Sequence, residues 1–162
     1  PLVQRQGKNR IVVELPGIQD TAEAKRILGK TANLEFRLEA KYDAPLSERQ
    51  RFEFRSNDYG DSGAWLERDV VITGERVANA QAGFDQQTGQ AQVNITLDSE
   101  GGTMMHRVTS HNINRRLGVL FIERKNRTTY VEAADGTEKI VKTPYDEKHI
   151  ISLATIRDAL GV

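Results

Sequence analysis

Gly29-Lys30-Thr31 is the triplet with the most chemical promise, because a Gly-Lys-Thr run closes the loops that cradle phosphates. Such a loop needs another glycine five residues earlier, and Ala24 stands there. It should also lead from a strand into a helix, whereas this triplet follows a helical stretch, so it reads as a helix stop. His106, His111 and His149 are the only histidines. On a helix, positions i and i+5 point about 140° apart, which places His106 and His111 poorly for a shared metal. No carboxylate-rich helix face supplies further ligands, and the histidines read as surface groups. Asp98 and Glu100 flank a helix start, where negative charge favours the positive end of the dipole. Nothing in that polar stretch would bury either one for acid–base work. No Gly-x-Ser-x-Gly elbow is present, and there is no cysteine. The expectation is a protein that is not an enzyme and holds no metal and no cofactor.

Asn94-Ile95-Thr96 and Asn126-Arg127-Thr128 match the glycan acceptor pattern, which arises often by chance. Arg115, Arg116, Arg124, Lys125 and Arg127 bracket an apolar run and could meet an acidic segment of a partner. Solvated strand ends are the simpler account. The 162 residues carry 23 Lys+Arg against 23 Asp+Glu, which argues against nucleic acid as a partner. The length suits one average domain or two small ones. No apolar run approaches the roughly 18 residues that span a bilayer, so this piece does not cross a membrane. Pro1 stands where Met would, and the chain is expected to be a piece of something longer, with any targeting or membrane segment outside it.

The elements that must position these groups follow from periodicity. Ile11, Val12, Val13 and Leu15 make a strand ended by Pro16-Gly17. Asp20 and Glu23 open a short helix with Ala24, Ile27 and Leu28 on its apolar stripe. Ala32 to Leu38 alternates as a half-buried strand. Ala40 to Gly63 loses regularity and is expected to be a mobile junction loop, with Phe52 and Phe54 marking a short edge strand inside it. Beyond it the pattern is mainly β. Trp65 to Ile72 reads as one strand, and Ala80 to Phe84 turns through Gln86-Gln87-Thr88-Gly89 into the alternating Gln90 to Leu97. Ser99 is expected to cap a helix to about Asn112, with Met104, Met105 and Val108 inward and Gly101-Gly102 weakening its first turn. Leu117 to Ile122 is apolar enough for a central strand covered on both faces. Thr128 to Glu132 and Glu138 to Lys142 form a second hairpin about Asp135-Gly136, and Ile150 to Ile156 is a last apolar segment. The class is α+β.

Arg10-Ile11-Val12-Val13-Glu14-Leu15-Pro16-Gly17-Ile18-Gln19-Asp20-Thr21-Ala22-Glu23-Ala24-Lys25, followed by Leu28-Gly29-Lys30-Thr31-Ala32-Asn33-Leu34-Glu35-Phe36-Arg37, resembles the SecD family of bacterial export proteins. Val3-Gln4-Arg5-Gln6-Gly7, Ile72-Thr73-Gly74, Val93 to Asp98, Gly101-Gly102, Asn112-Ile113 and Leu117 to Ile122 fit the same family more loosely. The resemblance covers nearly the whole chain except the Ala40 to Gly63 stretch. Where the family usually has Gly-Lys after the Asn-Ile pair, this chain has Asn114-Arg115. Asn is the next best residue for a positive-φ turn, so the turn is expected to survive.

The resemblance implies a first periplasmic region. Residues 1–38 would be part of a ferredoxin-like base (β-α-β, incomplete), and 39–162 a β-rich head with one main helix and a return segment to the base. The base strand and helix that follow in the family would come after Gly161-Val162. It implies a head that binds unfolded preprotein and swings, on the periplasmic side of the bacterial inner membrane, with energy from the proton gradient handled in membrane helices of the parent protein. SecF, the SecYEG translocon and an accessory subunit are the implied partners. A passive scaffold that docks SecF and the translocon is the alternative. A site for many sequences should offer apolar surface or open sheet edges. Val93, Ile95, Met104 and Met105 are candidate substrate contacts, the methionines through their flexibility, with core packing as the competing account. The edge strand of the 90–97 hairpin could pair with an extended peptide, with a covered edge as the alternative. Leu38, Ala40, Ile156 and Gly161 are candidate hinge residues, at the two crossings between base and head.

Overall fold

The computed structural model describes residues 2–5, 9–16, 33–55, 62–157 and 159–160. In chain order the strands are β1 (Leu2–Arg5), β2 (Arg10–Glu14), β3 (Leu34–Leu38), β4 (Arg49–Phe54), β5 (Gly63–Glu67), β6 (Ile72–Thr73), β7 (Val77–Phe84), β8 (Ala91–Leu97), β9 (Arg116–Glu132) and β10 (Glu138–Ile156). One helix, α1 (Ser99–Ser110), interrupts them. The fold is β-rich with a single helix among the described residues, an α+β arrangement. The helix expected at residues 20–28, and with it Gly29-Lys30-Thr31, lies outside the described residues.

The strands join in one sheet, in the order β6-β3-β9-β10-β1-β2-β8-β7, with β4 on β10 and β5 on β4. The N-terminal strands β1 and β2 fill the gap between β10 and β8, β1 running parallel to β10 and antiparallel to β2. Alternation decides which side chains go in. In β8, Ala91, Val93, Ile95 and Leu97 are buried, and they meet Ile11, Val13, Phe36, Leu117, Val119 and Met105 in the main core. The helix lies over this face and inserts Met105 and Thr109. Thr109 also pins the chain end, its hydroxyl oxygen accepting the Leu160 N–H at 2.8 Å.

The opposite face is covered by β4 and β5. Phe52 and Leu66 pack with Leu120, Ile150 and Leu153 in a second cluster. Leu117 to Phe121 is therefore buried on both sides, which is why the sequence there is apolar without alternation. Gly118 belongs to this contact: a Cβ there would lie 3.0 Å from Leu66 Cδ2.

Three sequence expectations need correction. Ala40 to Gly63 is not simply a loop, because Arg49–Phe54 forms β4, paired with both β5 and β10; Phe52 alone is buried enough to anchor it. Trp65 to Ile72 is not one strand. It breaks at 68–71, where the Arg37 guanidinium donates to the carbonyls of Glu67 (3.4 Å) and Arg68 (3.2 Å), and Val71 N–H donates to Phe36 O at 2.7 Å. The helix is capped by Asp98 and not Ser99: Asp98 is extended at φ −70°, ψ 173°, and its carboxylate accepts the Gly101 N–H at 2.7 Å. The turn at Asn114 survives as expected, with φ +73°. Its N–H donates to Ile156 O at 2.8 Å, tying the turn to the end of β10.

Candidate functional site

Two strands expected near residues 117 and 128 are one 17-residue strand, and the two beyond the turn are one 19-residue strand. The cause is continuous pairing from Arg116↔Thr155 to Glu132↔Glu138, with one irregularity between Ile150 and Ser152. Among the described residues, other strands pair only with the lower part of this ribbon. β3 covers Leu117–Phe121, β4 meets His149–Ile150, and β1 meets Thr155–Ile156. From Ile122 to Lys148 the two strands pair with each other alone among the described residues.

A lone two-stranded ribbon is marginal in water, so side chains must stitch it. Lys125 Nζ lies 2.9 Å from Glu147 Oε2, Arg124 Nη1 3.7 Å from Asp146 Oδ1, and the Arg127 guanidinium 5.1 Å from the Tyr145 ring centroid. The Glu147 hydrogen bond holds the Lys125 ammonium above its ordinary pKa. At the tip, Gly136 takes φ +85°, and the Asp135 carboxylate accepts the Thr137 hydroxyl at 2.6 Å and its N–H at 3.1 Å. Those two bonds, the hydroxyl first, lower the Asp135 pKa. Above this polar stitching the ribbon carries four exposed apolar side chains among charged ones. Tyr130 and Ile140 stand opposite each other on one face, 66% and 58% exposed, and Val131 and Val141 lie diagonally on the other, 48% and 39% exposed.

A second surface is a shallow cleft beside the junction, lined by Ala40, Tyr42, Arg49, Ala64, Trp65 and Arg116. The Arg49 guanidinium stacks 4.5 Å from the Trp65 ring. Arg115 donates to Glu39 O at 2.6 Å and pairs with Glu67 at 3.2 Å, while Arg116 pairs with the Glu39 carboxylate. The basic cluster read from sequence is thus engaged in ion pairs and ring contacts within the fold. A third surface is the outer side of β7, the last strand of the sheet, which no described strand pairs.

The residues singled out from sequence fall elsewhere. Val93, Ile95 and Met105 are 3%, 2% and 0% exposed, so in this structure they belong to the core, and Met104 packs partly buried against it. The inward face of β8 and the helix cover one another, and these side chains lie between them. β8 is also internal, and the edge of its hairpin is β7. Leu38 pairs with Leu117, Ala40 N–H donates to Trp65 O at 2.9 Å, and Ile156 is fully buried. Gly161 lies outside the described residues. Asp98 and Glu100 share Arg76, at 3.6 and 2.9 Å. His149 faces Glu147, and among the described residues no three His, Cys, Asp or Glu gather as a metal site. The ribbon tip was missed as a site. Its signal was the adjacent pairs Tyr130-Val131 and Ile140-Val141, which put an apolar side chain on each face of each strand.

A family profile described as "SecDF, P1 head subdomain" matches residues 49–162, and one described as "Protein translocase subunit SecDF, P1 domain, N-terminal" matches 1–41. The chain belongs to the SecDF P1 family. The SecD resemblance of the N-terminal block therefore holds, and the family boundary falls between residues 41 and 49, beside the cleft. Among relatives of this P1 chain, protein translocase subunit SecD of Pseudomonas aeruginosa is 57% identical over 99% of the chain. SecD of Escherichia coli K12 is 40% identical over 99%. The chain spans 26% of the length of each. A solved structure described as "Structure and function of a membrane component SecDF that enhances protein export" shares 27% identity, with a TM-score of 0.45, over 99% of this chain and 66% of that one. Among the described residues no helix is long and apolar enough to cross a membrane.

Proposed function

We propose that this P1 chain is the periplasmic part of a protein translocase subunit that holds an emerging preprotein and, by hinge motion coupled to the proton gradient elsewhere in the complex, promotes export across the inner membrane. Residues 1–38 form part of a base that further chain completes into a ferredoxin-like unit, and residues 39–162 form the head. SecF and the SecYEG translocon are its partners.

The observation that carries this reading is the ribbon. Tyr130, Val131, Ile140 and Val141 are exposed on an arm that no other described strand supports. Large apolar side chains on both faces suit a contact that is not selective for sequence and is easily broken. Movement enters at the Leu38–Ala40 crossing and at the return near Ile156. Membership in a translocase family supports the same reading.

The test is photo-crosslinking from positions 130 and 140 of the full-length protein during export in membrane vesicles. A crosslinked export intermediate is expected, and so is slower secretion in a Tyr130→Ser/Ile140→Ser variant that melts normally. Normal secretion after exchange of the whole β-rich head would overturn the reading. A head locked by an engineered disulfide that still exports at full rate would remove the swing.

A further inference from the structure

The free side of β7 is built differently from most sheet edges. Exposed edges are normally blunted with charges, proline or short length. From Val77 to Phe84 the sequence is Val-Ala-Asn-Ala-Gln-Ala-Gly-Phe, eight residues with no charge and no proline. The one irregularity lies at its start, between Val77 and Asn79.

The backbone of this strand can be accounted for residue by residue. Asp85 N–H donates to Gln90 O, and Ala91 O accepts from Leu15 N–H on the other side of β8. Bonding alternates along an antiparallel pair. Asn79, Gln81 and Gly83 therefore bond to Thr96, Asn94 and Gln92, and the N–H and C=O groups of Ala80, Ala82 and Phe84 point away from the sheet. No described residue takes those groups. They form a periodic row of donors and acceptors, which an extended polypeptide backbone matches.

The two faces of the edge differ. Ala80 and Ala82 pack against the core beside Ile95 and Val93, and Phe84 follows them on the same face, 41% exposed. This leaves a low apolar shelf that small alanines do not fill. On the other face Asn79, Gln81, Gln92 and Asn94 line a polar hollow with Arg10 at its side. A Cβ at Gly83 would meet nothing within 4 Å.

We infer that β7 is a strand-addition site for an extended segment of the exported polypeptide, held by backbone hydrogen bonds and preferring alternate apolar and polar side chains. The inference rests on the export reading and deepens it. The bonds are made to the backbone, so the site accepts many sequences. The buried Val93 and Ile95 act behind it, fixing the position of β7 without touching the ligand.

The test uses full-length protein in membrane vesicles, with a secretory protein stalled in mid-export as the probe. A photo-crosslinker is placed in turn at Ala78, Phe84 and Tyr130. Crosslinks from Ala78 and Phe84 are expected. Ala82→Pro and Ala80→Pro each remove an outward N–H while leaving the β8 ladder intact, and each should lower the Phe84 crosslink about tenfold or more. Their melting temperatures and the Tyr130 crosslink serve as folding controls. Crosslinks at Tyr130 with none at Ala78 or Phe84 overturn strand addition and leave the export reading standing. No crosslink at any of the three overturns both. An Ala82→Pro or Ala80→Pro variant that melts normally and keeps the full Phe84 crosslink also overturns strand addition.

Discussion

Gly101→Ala tests whether the helix is held by its own propensity or by its seat. On propensity alone the change should help, because alanine in a helix interior is favoured over glycine by about 1 kcal/mol. The structure gives the opposite sign. A Cβ at Gly101 would lie 2.7 Å from Arg76 Cβ and 3.3 Å from Arg76 O. Arg76 Cβ is not the end of a flexible chain. It is fixed to the 3-10 turn Gly74–Arg76, whose last carbonyl accepts the Asp98 N–H at 2.8 Å. Relief therefore requires the helix start to lift by nearly 1 Å, which strains the Asp98 cap on the Gly101 N–H. Overpacking of this kind costs about 1–3 kcal/mol. Set against the propensity gain, a net loss of up to about 2 kcal/mol is expected, a fall in melting temperature of up to roughly 8 °C at this chain length. Gly83→Ala is the control: it sits in a strand with open space around its Cβ, and should stabilise by about 0.5 kcal/mol. Thermal melts of both variants in one buffer decide the matter. If Gly101→Ala melts higher than the parent, the close approach to Arg76 is not what requires glycine, and the argument fails.

Other positions give independent checks. Asn114 has φ +73°, so Asn114→Gly should leave the urea midpoint unchanged or raise it slightly, whereas Asn114→Val should lower stability by about 1–2 kcal/mol. Arg37 is nearly buried and joins Glu35 to the carbonyls of Glu67 and Arg68, while Lys148 also pairs with Glu35, so Arg37→Leu should cost about 1–3 kcal/mol in urea unfolding; a loss near zero would mean the kink at 68–71 does not depend on it. Asp135 has a lowered pKa in the folded ribbon, so its contribution is present above the unfolded carboxylate range and lost as pH falls through the folded value. Thr137→Ala should return the Asp135 carboxyl toward its ordinary pKa in an NMR titration and flatten that acid-side slope; an unmoved carboxyl would exclude the hydroxyl as the main cause.

Much of the fold was legible because short-range rules suffice for it. Alternation located β3 and β8, an apolar run ended by Pro16-Gly17 located β2, and the unbroken apolar run located the centre of β9, where both faces are covered. Gly89, at φ +70°, marked the β7–β8 turn, and Gly136 the ribbon tip. What escaped notice depends on partners far away in sequence. β4 reads as polar because five of its six residues escape full burial, and only Phe52 reports the second core. The break at 68–71 is imposed by Arg37, some thirty residues earlier. The length of the ribbon was hidden because residues 122–148 bury little, so no apolar period links the two halves of each strand. Met104 and Met105 illustrate the converse. Their type suggested a binding groove, but helical spacing put one in the core and the other against it.

The sheet sets unequal terms for motion at its two crossings. At Glu39 and Ala40 the backbone holds by three hydrogen bonds: the Glu39 N–H to Arg116 O at 2.8 Å, the Ala40 N–H to Trp65 O at 2.9 Å, and Glu39 O accepting from the Arg115 guanidinium at 2.6 Å. The ion pair between Arg116 and Glu39 is partly exposed and adds little in water. Opening this point breaks bonds of about 1 kcal/mol each and uncovers little apolar surface. At Ile156 the side chain is fully buried, the backbone bonds on one side to Asn114 N–H and Arg115 O, and β1 is paired alongside at Val3. Opening there exposes a core isoleucine at about 1.5–3 kcal/mol and also parts β1 from β10. If the head swings against the base as proposed, these unequal terms predict that it bends first at residues 39–40, with the ribbon and the end of β10 moving as one piece.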